Sequence, residues 1–480
     1  MQSLELLDEF IALADSGRLF LSMDKAWNSD FRQGLGKAVG ELLFHQRAEL
    51  ERSRGIDWVY GIFRDRLALF EKIAGGDSED GAAMEAKLFL AMLPFPGQWS
   101  WLERLAAEYG YLPEVAAFFH HERRVIRKKI EKKSYKRFRL RNFCQILKPH
   151  GLPREKGVLR IFSIPYFFPL VPELLETIGR HYVLYVEPAA GITFRHTWMR
   201  YFSHLKDPVL FGLSSSEDRD FVLGQPNTAA THLAHGDYLD ARTQVPLHGE
   251  VRFDIVFNNT FDERDRKRHS LMLDLMDHPG LQNVRVLFMG RGTPDTVADF
   301  KSEIEKRGLG TRTTVLANLL RSQVAEHLAH CRMGVHLALM ENGCRAVYEY
   351  FRSDLPCVMS TATAGMDPSI ITPETGILAT DGDLPGAIRR VLDRERDFFP
   401  RRWFLEKSGC FNATEQLNAQ LKTLFHSQGY DWQEDIVTMT SSGVGRYADP
   451  RDLERFAPDF ERLAALFRNI PDLPIRLDAG

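Results

Sequence analysis

The sequence predicts an α/β protein with two Rossmann-like domains in tandem, facing a common cleft and preceded by an α-helical region. Three observations carry that prediction. Residues 1–152 show apolar side chains at three- and four-residue steps, as on one helix face, with little strand-like alternation. After the Pro/Gly break at 148–153, short apolar runs alternate with helical patterns, the order that builds a parallel sheet with crossover helices. A second and clearer series of the same kind starts at Phe253. Both series read as Rossmann-like domains.

Composition bounds the rest. At roughly 150 residues per domain, 480 residues suggest about three domains. Hydrophobic residues at 44% and charged residues at 26% exclude a disordered, collagen-like or small disulfide-scaffold protein. Lys and Arg (62) nearly balance Asp and Glu (65), so no global field marks a nucleic-acid binder, and no nucleic-acid partner is expected. The acidic start (Glu5, Asp8, Glu9, Asp15) lacks the pattern of a secretory signal, and no apolar run reaches the roughly 18 residues that span a bilayer. Five scattered cysteines without a C-x-x-C pair fit a reducing compartment, so a cytoplasmic location is expected. The expected divisions are 1–152 (helical), 153–250 and 251–425 (the two Rossmann-like domains) and 426–480 (closing helices).

In the helical region, helices are expected over 34–54, 57–73 and 82–93, their aromatic residues (Trp58, Tyr60, Phe63, Phe70) forming a bundle core. Pro113 suits a first helical position, and the pattern from there runs to 147. Its second half is basic: eleven Lys or Arg between 122 and 141, including Lys128, Lys129, Lys132 and Lys133, face only Glu122 and Glu131. Two readings stay open, a solvated helix face or a surface that lies on an anionic membrane or grips a polyanion.

In the first α/β series, strands are expected over 158–164, 182–187 and 209–213, with a helix over 172–180. The second offers strands over 253–258, 284–289, 313–316, 333–337, 356–359 and 376–379. Helices over 268–277, 296–306, 320–330, 345–351 and 384–394 connect them, and further helices over 413–425 and 450–467 close the chain. Six strands with five crossovers place a ligand crevice at the carboxyl ends of the strands.

The most informative segment, 340–349, joins the fourth of these strands to a helix. Glu341 sits in the loop and Glu349 well inside the helix, eight residues on. Between them, the backbone N–H groups of Asn342, Gly343 and Cys344 lie at the positive end of the helix, where a diphosphate is favoured. Gly343 permits close backbone approach. A nucleotide-sugar needs this spread of contacts: carboxylates for hydroxyls at both ends and donors for the diphosphate between.

Here the chain resembles the GT-B retaining glycosyltransferases of glycosyltransferase family four, the group 1 glycosyltransferases. Their mark is a pair of glutamates separated by seven residues ahead of a G-x-P-V-V strand. Glu341 and Glu349 match it, followed by Pro356-Cys357-Val358, then Thr363-Ala364-Gly365 and Thr375-Gly376-Ile377-Leu378. Phe253-Asp254-Ile255-Val256-Phe257 resembles the first strand of the donor domain, and His235-Gly236-Asp237 the start of the interdomain linker. The resemblance covers residues 235–425.

What it implies is a soluble glycosyltransferase, catalysing sugar transfer with retained configuration from a nucleotide diphospho-sugar to a hydroxyl of a glycan, lipid-linked or protein acceptor, in bacterial polysaccharide synthesis or protein glycosylation. Glu341 would hold the transferred sugar and Glu349 the ribose. Lys267 would meet the diphosphate, with Arg264 or Arg268 in place of the family's arginine. Gly290, in Gly290-Arg291-Gly292, would line the phosphate crevice, and the backbone near Leu316 would face the base. The chain departs from the family in three places. Asn258-Asn259-Thr260 replaces the usual Gly-Arg, residues 163–169 replace a glycine-rich loop, and none of His196, His204, His232 and His235 matches the family's histidine. The histidines and cysteines lack zinc spacing and no D-x-D stands ahead of a suitable strand, so metal-independent catalysis without a cofactor is expected. The basic stretch 122–141 would add a peripheral contact with the inner membrane face. Two rivals remain: a catalytically silent binding protein of the same architecture, and a scaffold whose basic helix binds RNA or an anionic membrane.

Overall fold

The computed structural model describes residues 2–21, 66–76, 80–92, 98–134, 140–142, 144–151, 155–162, 172–188, 205–242, 249–440 and 447–468. Its amino-terminal region is helical: Gln2–Asp15, Arg66–Gly75, Asp80–Met92, Gln98–Tyr109 and Pro113–Ser134. The helix expected over 34–54 lies outside the described residues, as do Trp58, Tyr60 and Phe63. The rings of Phe10, Phe70 and Phe89 stack at 5.1 and 4.2 Å. They belong to a buried cluster continuous with Ile146, Leu159, Ile161 and Leu184, so the helices cover one face of the first sheet. No helix among the described residues is long and apolar enough to cross a membrane.

The first sheet contains β1 (Cys144–Lys148), β2 (Gly157–Phe162), β3 (Tyr182–Glu187), β4 (Val209–Gly212) and β5 (Thr228–Thr231), in that spatial order. β1 runs antiparallel to β2 and the remaining pairs are parallel. Two expectations are corrected here. The helix predicted to run from 113 to 147 ends at Ser134, and its last residues form β1. All five residues of β1 are buried; Cys144 and Ile146 pack on the helical region while Leu147 packs on the opposite face. A strand covered on both faces reads as a continuous apolar run, which periodicity alone does not separate from a helix. β5, Thr-Ala-Ala-Thr, offers no apolar run and escapes prediction.

The second sheet contains β6 (Phe253–Asn258), β7 (Val286–Gly290), β8 (Thr313–Ala317), β9 (Cys331–His336), β10 (Cys357–Ser360) and β11 (Gly376–Ala379). Their order is β11-β10-β9-β6-β7-β8, every pair parallel. Connections run outward in both directions from the β6/β9 pair, so the switch point lies there. Ile255, Phe257, Val286, Phe288, Met333 and Val335 fill one face. Val256, Leu287, Met289 and Met359 face the other way, onto Val347 and Phe351 of the helix Arg345–Arg352.

The closing segment returns to the first sheet. The helix Cys410–Ser427, within the range assigned to the second domain, buries Ala413, Leu417, Leu421 and Phe425 against Leu147, Val158, Val183 and Leu210 of the first sheet. The helix expected over 450–467 is two, Arg451–Arg455 and Ala457–Arg468. Phe460, Leu463 and Phe467 of the latter join the cluster on the other side of that sheet. Two Rossmann-like units thus face one cleft behind a helical amino-terminal region, the GT-B arrangement the sequence predicts.

Candidate functional site

The carboxyl ends of β6 and β9 diverge at the switch point, and the chain leaves them as Asn258-Asn259-Thr260 and as the loop 337–344. Together with Lys267, Gly290, Arg291 and the helix Arg345–Arg352 they form one wall of a cleft of about 520 Å³. Arg160, Phe162 and His235 of the first unit form the opposite wall.

Close backbone contact holds the walls together. Gly343 has φ +60, and a Cβ there would stand 2.2 Å from the Ala234 Cβ. Its carbonyl accepts from Gly236 N at 3.1 Å. The Asn342 side chain donates to the Pro188 carbonyl at 2.7 Å and accepts from Ser214 N at 3.1 Å. Asn342 therefore bolts the second unit to the strand ends of the first, and its amide is engaged by protein.

Glu341 is buried, and its carboxylate touches the Lys267 ammonium directly. Arg266 Nη1 lies 3.6 Å away and His336 Nε2 3.9 Å. Burial alone would raise this carboxyl; Lys267, His336 and Arg266 together hold it below the ordinary range. His336 is wholly buried and is pushed down to about 4, so it is neutral near pH 7. At the far end Glu349, also buried, accepts from Arg345 Nε at 2.7 Å and Asn258 Nδ2 at 3.2 Å. Two oxygens with two lone pairs each leave room for further donors.

Of the residues predicted to form the site, Glu341, Lys267, Glu349, Asn342, Gly343, Cys344 and Gly290 line the cleft. Arg264, Arg268 and Leu316 do not. Arg264 is ion-paired with Glu303 over the Phe300 ring, Arg268 bonds Asp381 at 3.0 Å, and Leu316 packs into the core beneath. The reason is helical phase. Arg264–Lys267 forms a short helix, so successive side chains point about 100° apart. Arg268 follows in the left-handed region, φ +57, which turns its side chain elsewhere. Arg266 takes the cleft position instead, a residue that the charge run 264–268 contained without marking. Arg291, Arg321 and Arg345 also line the cleft. Of the four candidate histidines, His235 faces the cleft and His232 pairs with Asp367 at 2.8 Å; His196 and His204 lie outside the described residues.

On the first unit's wall, Arg160 and Glu187 form a buried ion pair at 2.6 Å, and His235 Nδ1 stands 3.5 Å from the same carboxylate. Burial would raise Glu187, but Arg160 and His235 hold it at about 2. The Phe162 ring packs against the His235 imidazole at 4.4 Å. The fold also gathers a trio that spacing in the sequence hides: ligand atoms of His336, Glu341 and Cys344 lie within 4.8 Å of one another. The carboxylate of that trio is already neutralised by Lys267, and burial pushes the Cys344 thiol up to about 12, so neither favours a metal ion over the ammonium.

The fold and the cleft define a two-lobed α/β protein with a cation-rich ligand crevice at its switch point. Residues 247–402, about a third of the chain, match the family described as Glycosyl transferases group 1. That segment supplies the wall carrying Asn259, Lys267, Glu341 and Glu349. No curated protein matches the chain. Among solved structures it is similar to TarM (TM-score 0.45, 14% identity, over 55% of this chain and 54% of that one). It is also similar to Anabaena HepE, solved with UDP and glucose (0.42, 14%, 55% and 78%). A third is the pneumococcal O-GlcNAc transferase GtfA, solved with UDP and GlcNAc (0.41, 14%, 54% and 54%). The similarity thus spans about half the length of TarM and of GtfA.

Proposed function

We propose that the protein is a glycosyltransferase that moves a sugar from a nucleotide diphospho-sugar to an acceptor hydroxyl. The observation that carries this reading is the Glu341–Lys267 contact at the switch-point cleft, with a helix amino terminus and Glu349 beyond it, inside the segment that matches the group 1 family. Lys267 has three N–H donors, so it can keep Glu341 ionised and still meet a phosphate oxygen. Glu341 then accepts from hydroxyls of the transferred sugar, and Glu349 from the ribose. As the glycosidic bond breaks, the departing diphosphate gains charge, which Lys267, Arg266 and the backbone N–H groups before Arg345 stabilise.

Retention of configuration, by attack from the face the diphosphate leaves, is proposed on the Glu341/Glu349 spacing. Metal-independent action is proposed because fixed cations already stand where charge develops; full activity in excess chelator is the expected result. The acceptor is proposed to be a glycan, lipid-linked or protein hydroxyl. A membrane-adjacent role rests on residues 122–141, whose backbone is helical to Ser134.

Purified protein incubated with UDP-, GDP-, ADP- and dTDP-linked sugars tests the reading. One donor, present at about a hundred times its dissociation constant, should add roughly 2.7 kcal/mol of stability. Wild type should hydrolyse or transfer that donor, while Glu341→Gln should not. Equal rates for the two proteins would reject the assignment.

A further inference from the structure

We propose that Asn259 is a ligand-binding residue of this cleft: its side-chain amide donates to a phosphate oxygen of the nucleotide diphospho-sugar and accepts from an adjacent hydroxyl of the same molecule. The inference rests on the donor class proposed above and adds a residue and a mode of contact to it.

The backbone around Asn259 is fixed. Its N–H donates to the Met289 carbonyl at 2.8 Å, and its own carbonyl lies 1.8 Å from where a Cβ would stand on Gly290. Only glycine at 290 lets the ends of β6 and β7 approach so closely. This close approach fixes where the Asn259 side chain emerges. That side chain lines the cleft and is 4% exposed, and neither its Nδ2 nor its Oδ1 has a hydrogen-bond partner within the protein. Folded proteins rarely leave both ends of a buried amide unbonded, because each end loses water without compensation. The two other asparagines of the cleft differ. Asn258 donates to Glu349, and Asn342 is engaged by Pro188 and Ser214. Asn259 is the one held ready.

The ligand chemistry follows from what the amide lacks. Nδ2 needs an acceptor, and the cations that share its wall, Arg266, Lys267 and Arg291, favour an anionic one. Oδ1 needs a donor, which a fully ionised phosphate does not have. A molecule that presents a phosphate oxygen beside a hydroxyl satisfies both ends at once. Inorganic diphosphate carries no sugar hydroxyl and can offer a donor only by keeping a proton on its own oxygens, against the cations of this wall.

The test is calorimetric titration of the full chain with UDP, GDP, ADP, dTDP and inorganic diphosphate, on wild type, Asn259→Ala and Asn259→Asp, with the melting temperature of each free protein. The expected result is one nucleoside diphosphate bound by wild type, about tenfold weaker binding by Asn259→Ala, and a larger loss in Asn259→Asp, which sets a carboxylate against phosphate. Inorganic diphosphate should lose less than the nucleotide on Asn259→Ala. The free Asn259→Ala protein should melt no lower than wild type, because no internal hydrogen bond is lost; a purely structural asparagine would lower it. Undiminished nucleotide affinity in both variants, or a lower melting temperature with undiminished affinity, overturns the role of Asn259 alone. Absence of any nucleotide binding by wild type overturns the donor class and this inference together.

Discussion

Glu341 and its partners show how a carboxylate is kept charged out of water. Lys267 supplies the closest countercharge and Arg266 a second, so removing Lys267 leaves the buried carboxylate with only the more distant guanidinium. Lys267→Met should destabilise the fold by about 3–5 kcal/mol, as breaking a buried pair commonly does, and should also abolish transfer. Denaturant titration beside an activity assay separates the two effects. Acid should weaken the protein earlier than carboxylates alone predict. His336 and His269 are wholly buried, and burial lowers both to about 4 from an ordinary 6.5. Between those values the unfolded chain binds protons that the folded one refuses, so stability should fall as pH drops from about 6.5 to about 4. Each group contributes at most about 1.4 kcal/mol per pH unit. His269 packs among Phe257, Phe261 and Phe300, so His269→Phe should flatten that limb. Unfolding free energies at pH 7, 5.5 and 4.5 decide it; a wild-type value unchanged across them would refute the assignment. At this scale the sequence is half legible. The two glutamates stand out by their spacing across one strand-to-helix loop, whereas the identity of the facing cation depends on the phase of a four-residue helix, and the unbonded amide of Asn259 leaves no mark in a string of letters.

At the scale of elements, the second sheet is the most legible part of the chain. Its strands are apolar runs bounded by polar turns, and the fold places all six within two residues of the predicted spans. β1 and β5 fail for opposite reasons, one too apolar to tell from a helix and the other too polar to notice. The loop before the helix Arg345–Arg352 is specified more tightly than its composition suggests. Gly343→Ala meets both a left-handed backbone, worth about 1–2 kcal/mol, and the Ala234 methyl. We expect a loss above 2 kcal/mol in thermal unfolding, and partial recovery when Ala234→Gly removes the collision. Additive losses in the double variant would show that the two residues do not meet.

Across the whole molecule, the two lobes are joined by more than their linker. Asn342 spans the gap to Pro188 and Ser214, and His232 reaches Asp367. Within the first lobe the Arg160–Glu187 pair stands at the cleft wall with its side chains only 1% and 0% exposed. Glu187→Gln should destabilise that lobe by about 3 kcal/mol or more, and it should lower a separate first-lobe transition in calorimetry if the lobes unfold independently. A tandem α/β organisation is readable from alternating strand and helix patterns. That the chain returns to the first sheet is not, because an amphipathic helix does not say which of two sheets it will cover.

That return, by Cys410–Ser427 and Ala457–Arg468, orders the molecule's birth. As the chain leaves the ribosome, residues 249–407 can settle around β6 to β11 while the earlier half still waits for its last two helices. The lobe begun first is finished last. The face of its sheet that Cys410–Ser427 covers is left bare for the longest time, and it is there that a chaperone would have most to guard.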